Sequence, residues 1–433
     1  MSDIKSLIEN NRPDLSSYED TYGRIHENPD LSHEEKSTSK ITAHHLKKIG
    51  FHKVHTKIGG GYGVAGVLHN GDEKTVLLRG DMDALPLNED TGLEYSSTKP
   101  NVMHACGHDF HVVGLMGAAE LLVKAMHSWS GTLICVFQPA EDTGDGAKGM
   151  VYGKQQTDLS KCRKLLYDLV PKPDIVLVQH SWDITINGRG GHGSMPQACI
   201  DTIVIGSAVV ARLQTIVSRE INPGSTAVVT VGSIQAGTSA NVIPDTLTLK
   251  VNSRRFPDQI PDGKVDGETT HRIEECVKRI TIAECDAAGC TEPPIITRVV
   301  DTPATYNDAD TVDSLMSNFA PYFGDKMVEG TYTTASEDFT ELAINGTPYT
   351  MWFFGGIDQE TWDSTQDKNT LPVNHWRNFA PAIQPTLQTA ADAMAIGALT
   401  FLGKEANSTL VTMSITTIII SAAGIIPMST PIV

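Results

Sequence analysis

Short apolar runs of strand length alternate with segments of helical spacing along most of this chain, and that alternation decides its fold class. Residues 14–50 hold two helical patterns, "LSSYEDTYGRIHENPDL", broken at Asn28-Pro29, and "EEKSTSKITAHHLKKIG", stopped at Gly50. "GVAGVLH" (63–69) and "TVLLRGDMDALP" (75–86) read as strands, the second running on into a loop. "HVVGLMGAAELLVKAM" (111–126) reads as an apolar helix, and "GTLICVFQPAED" (131–142) and "PDIVLVQHSWD" (173–183) as further buried strands. The expected main body is α/β with a mostly parallel central sheet.

From residue 186 to 300 the pattern becomes strand, helix, strand, strand, helix, strand, an α+β (βαββαβ) unit of its own. The expected organisation is a discontinuous catalytic domain of residues 1–185 and 301–405, interrupted by an inserted lid at 186–300. The uncharged stretch "TLVTMSITTIIISAAGIIPMST" falls in the remaining tail, 406–433. It is short for a spanning helix and holds several hydroxyls and a proline, so the tail is expected outside the fold.

A net charge of −18 argues against nucleic acid and against anionic membrane as partners. The seven cysteines form no C-x-x-C pair, which suits reduced thiols rather than a disulfide framework. The opening "MSDIKSLIENNRPDL" lacks the apolar core of a signal peptide, so the expected location is cytoplasmic.

Three of the apolar strands end in residues able to bind metal: Asp81 and Asp83, Glu141 and Asp142, and His180. Sites in open α/β sheets lie beyond the carboxyl ends of the strands. "MHACGHDFH" (103–111) adds Cys106 and His108 on either side of Gly107, a thiol and an imidazole suited to zinc and its neighbours. A buried cysteine beside helix-capping groups is the plainer reading of that stretch alone. The adjacent carboxylates Glu141 and Asp142 suit metal-assisted hydrolysis, one holding metal and the other taking a proton from water. They also suit a solvated acidic turn. A lone histidine such as His180 or His375 is more often a satisfied structural residue.

Taken together, these segments resemble the zinc-type aminoacylase/carboxypeptidase metallopeptidases. The likeness is greatest to the amidohydrolase branch, with the hippurate hydrolases and the plant auxin-amino-acid conjugate hydrolases. The resemblance rests on "RIHENPDLSHEE", "LLRGDMDALPL", "NVMHACGHDFHVVGLMGAAELL", "GTLICVFQPAEDTGDGAKGMV", "GRGGHGSMPQACIDTIVIGSAVVARLQTIVSRE", "TSANVIPD", "ASEDF" and "NHWRNFAPAIQPTL", in the family's order. It implies a metal-dependent exopeptidase-like fold. Cys106, His108, Asp142, His180 and His375 would be metal ligands, Glu141 the general base, and Asp83 an orienting residue with Asp81 close by. Divalent metals, a zinc or manganese pair, would be the cofactors. His192 of "GGHGS" would stabilise the oxyanion, and Asn241 and Arg254 would bind substrate, an N-acyl amino acid or a dipeptide. A homodimer through the lid is common in the wider family.

Two positions depart from the family's pattern. Asp142 stands where a glutamate is usual, one methylene shorter, and Trp376-Arg377 follow His375 where Ser-Pro is usual. Three rivals to an amidase for N-acyl amino acids remain. A metal-dependent dipeptidase or carboxypeptidase would use the same site. A thiol amidase would use Cys106 as nucleophile and His108 as its base, and an inactive metal-binding protein would bind acyl-amino acids without turnover. His104 and His111 are expected to be structural.

Overall fold

Strand Thr75–Asp81 reads Thr-Val-Leu-Leu-Arg-Gly-Asp, and every residue of it is buried. A strand covered on both faces belongs inside a largely parallel sheet. In the computed structural model it lies within a six-stranded sheet whose order is Lys53–Ile58, Gly63–Asn70, Gly131–Gln138, Thr75–Asp81, Thr417–Ile425, Tyr349–Phe354. The first two pairings are antiparallel and the remaining three parallel. The sheet is thus mixed and mostly parallel, as expected. The structure describes residues 4–72, 74–152, 175–176, 178–255, 258–259, 265–266, 268–327, 336–343, 347–404 and 417–425.

The described chain divides into two units, the second running from Ile175 to Thr305 and including Glu337. This corrects the expected lid boundary at residue 186. The physical reason is that Val178–Asn187 is one ten-residue strand. It is hydrogen-bonded on one side to Thr246–Arg255 and on the other to Ile295–Thr302. "VQHSWD" and "ITIN" are therefore two halves of the same strand, and His180 does not end a strand of the central sheet.

The tail is the second correction. Thr417–Ile425 pairs in parallel with Thr75–Asp81 and with Tyr349–Phe354, so it belongs to the central sheet. A run of β-branched, uncharged residues suits an inner strand of such a sheet as well as it suits a membrane span. Among the described residues, no helix is long and apolar enough to cross a membrane.

In the first unit, helix His108–Lys124 is apolar almost all round and nearly every residue of it is buried, as befits a helix enclosed between layers. Helix Ile383–Leu402 packs along it. The two approach closely because Gly114 faces Ala390 and Gly117 faces Ala391, and a Cβ added at Gly114 would stand 2.8 Å from that of Ala390. Gly80 permits a second close approach, since a Cβ there would meet the carbonyl oxygen of His111 at 2.8 Å. The start of the helix is thereby pinned onto the end of the Thr75–Asp81 strand.

The second unit is a four-stranded antiparallel sheet in the order Ile295–Thr302, Val178–Asn187, Thr246–Arg255, Ala227–Ala236. Helices Thr202–Leu213 and Glu268–Ala287 contribute with it to a separate apolar core around Trp182, Ile184, Val209, Leu249 and Val277. The chain order is βαββαβ, as expected for the insert.

The helix contact gives a direct test. Gly114→Val overpacks the interface and is expected to cost about 1–3 kcal/mol of unfolding free energy in urea titration. Adding Ala390→Gly should recover part of that loss. An unchanged midpoint for the single variant would contradict the packing.

Candidate metal and hydrolytic site

Gly107 explains the C-G-H spacing. Its φ of +87° is left-handed, and the residue caps the helix that begins at His108. The turn lets Cys106 and His108 face the same region. Cys106 Sγ, a ring nitrogen of His108 and a carboxylate oxygen of Asp142 lie within 4.8 Å of one another. A thiol, an imidazole and a carboxylate at that spacing fit a divalent cation with bonds of about 2.0–2.3 Å. The shorter Asp142 therefore still stands with Cys106 and His108. His108 Nδ1 lies 3.0 Å from the Asp83 carbonyl oxygen. A hydrogen bond there leaves Nε2 to act as ligand.

The loop bearing Glu141 and Asp142 is held through its backbone. Asp83 is fully buried. Its Oδ1 accepts from the Glu141 N–H at 3.1 Å, and its Oδ2 from the Asp142 N–H at 3.0 Å and the Ser32 hydroxyl at 2.7 Å. Asp83 thus orients both neighbours from beneath. The Glu141 carboxylate reaches to 3.6 Å from His108 Nε2.

Asp81 lies deeper. Its Oδ1 is 2.6 Å from His111 Nδ1, and its Oδ2 accepts from Arg79 at 2.7 Å. Buried Arg79 also donates to Gln138 at 2.9 Å and to Asp338 at 3.4 Å. Burial alone would raise Asp81, but Arg79, His108 and His111 pull it well below the usual carboxylate range. Burial likewise opposes the His108 imidazolium, yet Asp81, Cys106 and Asp83 draw its pKa upward. Anionic surroundings that attract a proton so strongly attract a divalent cation for the same reason. Burial pushes the Cys106 thiol up, so metal binding there must displace a proton.

His375 is tied to this region by its backbone. Its N–H donates to the Ala105 carbonyl at 2.8 Å, and the Asn374 amide donates to the Cys106 carbonyl at 2.8 Å. His375 itself has a left-handed φ of 69°, a conformation that needs such support. Of the two residues after it, Trp376 is exposed and Arg377 pairs with Asp90 at 3.3 Å.

The remaining expected site residues lie in the second unit. His180 is buried, with Nε2 2.8 Å from Asp301. Burial lowers its pKa despite that carboxylate, which favours the neutral ring a metal ligand needs. His192 pairs with Val242 across a two-residue ladder, and the Gly193 N–H donates to the Asn241 carbonyl at 2.8 Å, so His192 and Asn241 are brought together. The Ser194 N–H donates to His192 Nδ1 at 3.1 Å. A nitrogen accepting an amide proton is unprotonated, so in the neutral ring the proton sits on Nε2. Arg254 is not beside His180. His180 is opposite Ser253 in the ladder, while Arg254 is opposite Gln179, so Arg254 and His180 project from opposite faces of that sheet.

Several contributors give little sign of themselves in the sequence: Glu35, His26, Asp109, Gln138, Arg79 and Asn374. Their one shared signal is a polar residue inside an otherwise apolar or helical run, as with Arg79 in "VLLRGD". His104 and His111, expected to be structural, are both buried. Among the described residues, neither His104 nitrogen has a hydrogen-bond partner, nor has His111 Nε2.

The family model described as peptidase family M20/M25/M40 matches residues 77–375. The chain belongs to this family. It is 38% identical over 334 residues to a hippurate hydrolase of Campylobacter jejuni, covering 73% of this chain and 82% of that one. It is 32% identical over 414 residues to thermostable carboxypeptidase 2 of Saccharolobus solfataricus, covering 92% of this chain and 100% of the other. A crystal structure from methicillin-resistant Staphylococcus aureus shares the fold with a TM-score of 0.63 at 27% identity, covering 92% of this family member and 99% of that chain.

Beside the helix that begins at His108, His26 lies wholly buried between Asp109, at 2.7 Å, and Glu89, at 3.3 Å. Burial works to lower its pKa, but hydrogen bonds and charge from Asp109 and Glu89 overcome that and raise it from 6.5 to about 9. A raised histidine stabilises fully below the unfolded pKa and loses that contribution as pH climbs through the folded one. Metal-free protein should therefore lose stability between about pH 6.5 and 9, by on the order of 3 kcal/mol at most. His26→Gln should flatten that decline in urea titrations across the window. A parallel decline in the variant would refute the assignment.

Proposed function

We propose that this M20-family protein is a metal-dependent amidohydrolase that cleaves N-acyl amino acids, with Glu141 as general base. The observation that carries the reading is the convergence of Cys106, His108 and Asp142, with the Glu141 carboxylate 3.6 Å from His108 Nε2. The hippurate hydrolase relative supports an acyl-amino acid as the substrate class.

A bound divalent metal supplies a Lewis acid that lowers the pKa of water and polarises the amide carbonyl. The soft Cys106 donor beside an imidazole favours zinc, with manganese the other choice and two ions per chain the proposed complement. His180 and His375 are proposed as the further ligands.

Glu141 takes a proton from the attacking water and later gives it to the leaving amine nitrogen. Asp83 holds the Glu141 and Asp142 peptides still during both transfers. His192 offers its Nε2 proton to the oxyanion that develops on the carbonyl. Asn241 binds the substrate, whereas Arg254, which projects from the sheet face opposite His180, is left out of that role. The products are a carboxylic acid and a free amino acid.

A carboxypeptidase using the same residues is the second reading, supported by the Saccharolobus relative. Both reactions break an amide next to a free amino-acid carboxylate. A panel of N-acyl amino acids and peptides separates them by kcat/KM.

Glu141→Gln should lower kcat by roughly 10²–10⁴-fold while metal content stays that of the parent protein. Chelation should abolish turnover and zinc or manganese should restore it. Equal loss of metal in the variant would remove Glu141 as base. Turnover indifferent to chelation but blocked by thiol alkylation, with substrate protecting, would favour a Cys106 nucleophile instead.

A further inference from the structure

Glu35 opens helix Lys36–Lys48 as its N-cap residue, yet its side chain makes no cap hydrogen bond and is fully buried. A buried carboxylate is costly unless its oxygens are occupied. Glu35 Oε1 accepts from the Ala140 N–H at 2.8 Å and from the His33 N–H at 2.9 Å. Its other oxygen is buried and has no hydrogen-bond partner among the described residues.

Both of those amides belong to residues in an uncommon conformation. Ala140 has a φ of 53° and His33 a φ of 67°, left-handed values that side chains other than glycine disfavour. Each is unfavourable and persists only where the surroundings impose it. One carboxylate oxygen therefore ties together two strained turns far apart in the chain, at His33 and Ala140.

The Ala140 turn matters because it leads straight into Glu141 and Asp142. The Ala140, Glu141 and Asp142 N–H groups all end on buried carboxylates, the first on Glu35 and the next two on Asp83. Asp83 fixes the two working residues, and Glu35 fixes the peptide that aims them. The Ala140 carbonyl is occupied as well, accepting from the Gly146 N–H at 3.1 Å.

We propose that Glu35 is a positioning residue for the hydrolysis, clamping the left-handed Ala140 peptide so that Glu141 and Asp142 stand where the reaction needs them. This rests on the roles proposed above for Glu141 and Asp142. What the clamp requires is an oxygen acceptor at the end of a side chain of this length. It does not require charge. Burial, together with the Asp83 charge, pushes Glu35 up to about 7 against the pull of the N–H groups. A carboxyl poised there holds its amides whether or not it carries a proton, and a glutamine oxygen can do the same.

Three variants separate length from charge. Glu35→Gln keeps length and acceptor, Glu35→Asp keeps charge but is one methylene short, and Glu35→Met keeps bulk without an acceptor. Each is measured for kcat, KM, metal per chain and thermal midpoint, and for the visible absorption of the cobalt-loaded protein. Glu35→Asp and Glu35→Met are expected to lose kcat by roughly 10–10²-fold with KM within about threefold, as for a misplaced catalytic group. Glu35→Gln should retain most of kcat. The cobalt spectrum should shift in Glu35→Asp but not in Glu35→Gln, which reports on Asp142 whatever the substrate proves to be. Should Glu35→Met fail to fold, the Gln and Asp variants still decide. Full kcat in Glu35→Asp, or equal losses in the Asp and Gln variants, would overturn the proposal. A wild-type protein inactive on every acyl-amino acid, but with the expected cobalt shifts, would instead fault the proposed function and leave the clamp standing.

Discussion

Three consecutive backbone N–H groups, those of residues 140–142, end on two buried side-chain carboxylates. The rest of the site depends on that arrangement. A loop carrying two acidic side chains would otherwise drift from its neighbours by charge repulsion. Here its backbone donors are satisfied inside the protein by Glu35 and Asp83, while the Asp142 side chain reaches Cys106 and His108 and that of Glu141 reaches His108. Buried donors cost about 1–3 kcal/mol each if left unpaired, which is enough to hold an unfavourable turn at Ala140.

The same matching of charge runs beneath the site. Asp81 and Asp338 share the buried Arg79, and Gln138 links Arg79 to Asp338, accepting from the first and donating to the second at 2.5 Å. Asp109 is matched by His26. Glu141 and Asp142 gather beside the imidazole of His108, with Cys106 next to Asp142. A divalent cation is the natural counter-charge for such a group. Because it would bind the folded chain and not the unfolded one, it would also stabilise the fold.

Much of this is legible in the sequence. The strands at 63–69 and 75–81 and the helix from 111 show through apolar runs bounded by turn residues, and Gly107 marks the turn between two donors. The tail misleads because an uncharged β-branched run looks the same in a central strand and in a loose apolar segment. Only its pairing with Thr75–Asp81 tells them apart. His180 misleads because "VQHSWD" ends plausibly as a strand, while the structure continues it through "ITIN" as part of another sheet. Glu35 is invisible for a different reason. A glutamate at a helix start normally faces water, and nothing local signals a partner a hundred residues away.

The central claim is that Cys106, His108 and Asp142 form a metal site. It is tested most directly by X-ray absorption at the zinc edge of the zinc-loaded protein, compared with Cys106→Ser. The account predicts one sulfur scatterer at about 2.3 Å beside nitrogen and oxygen ligands, lost in the variant. A shell of nitrogen and oxygen alone, unchanged by the substitution, would contradict it.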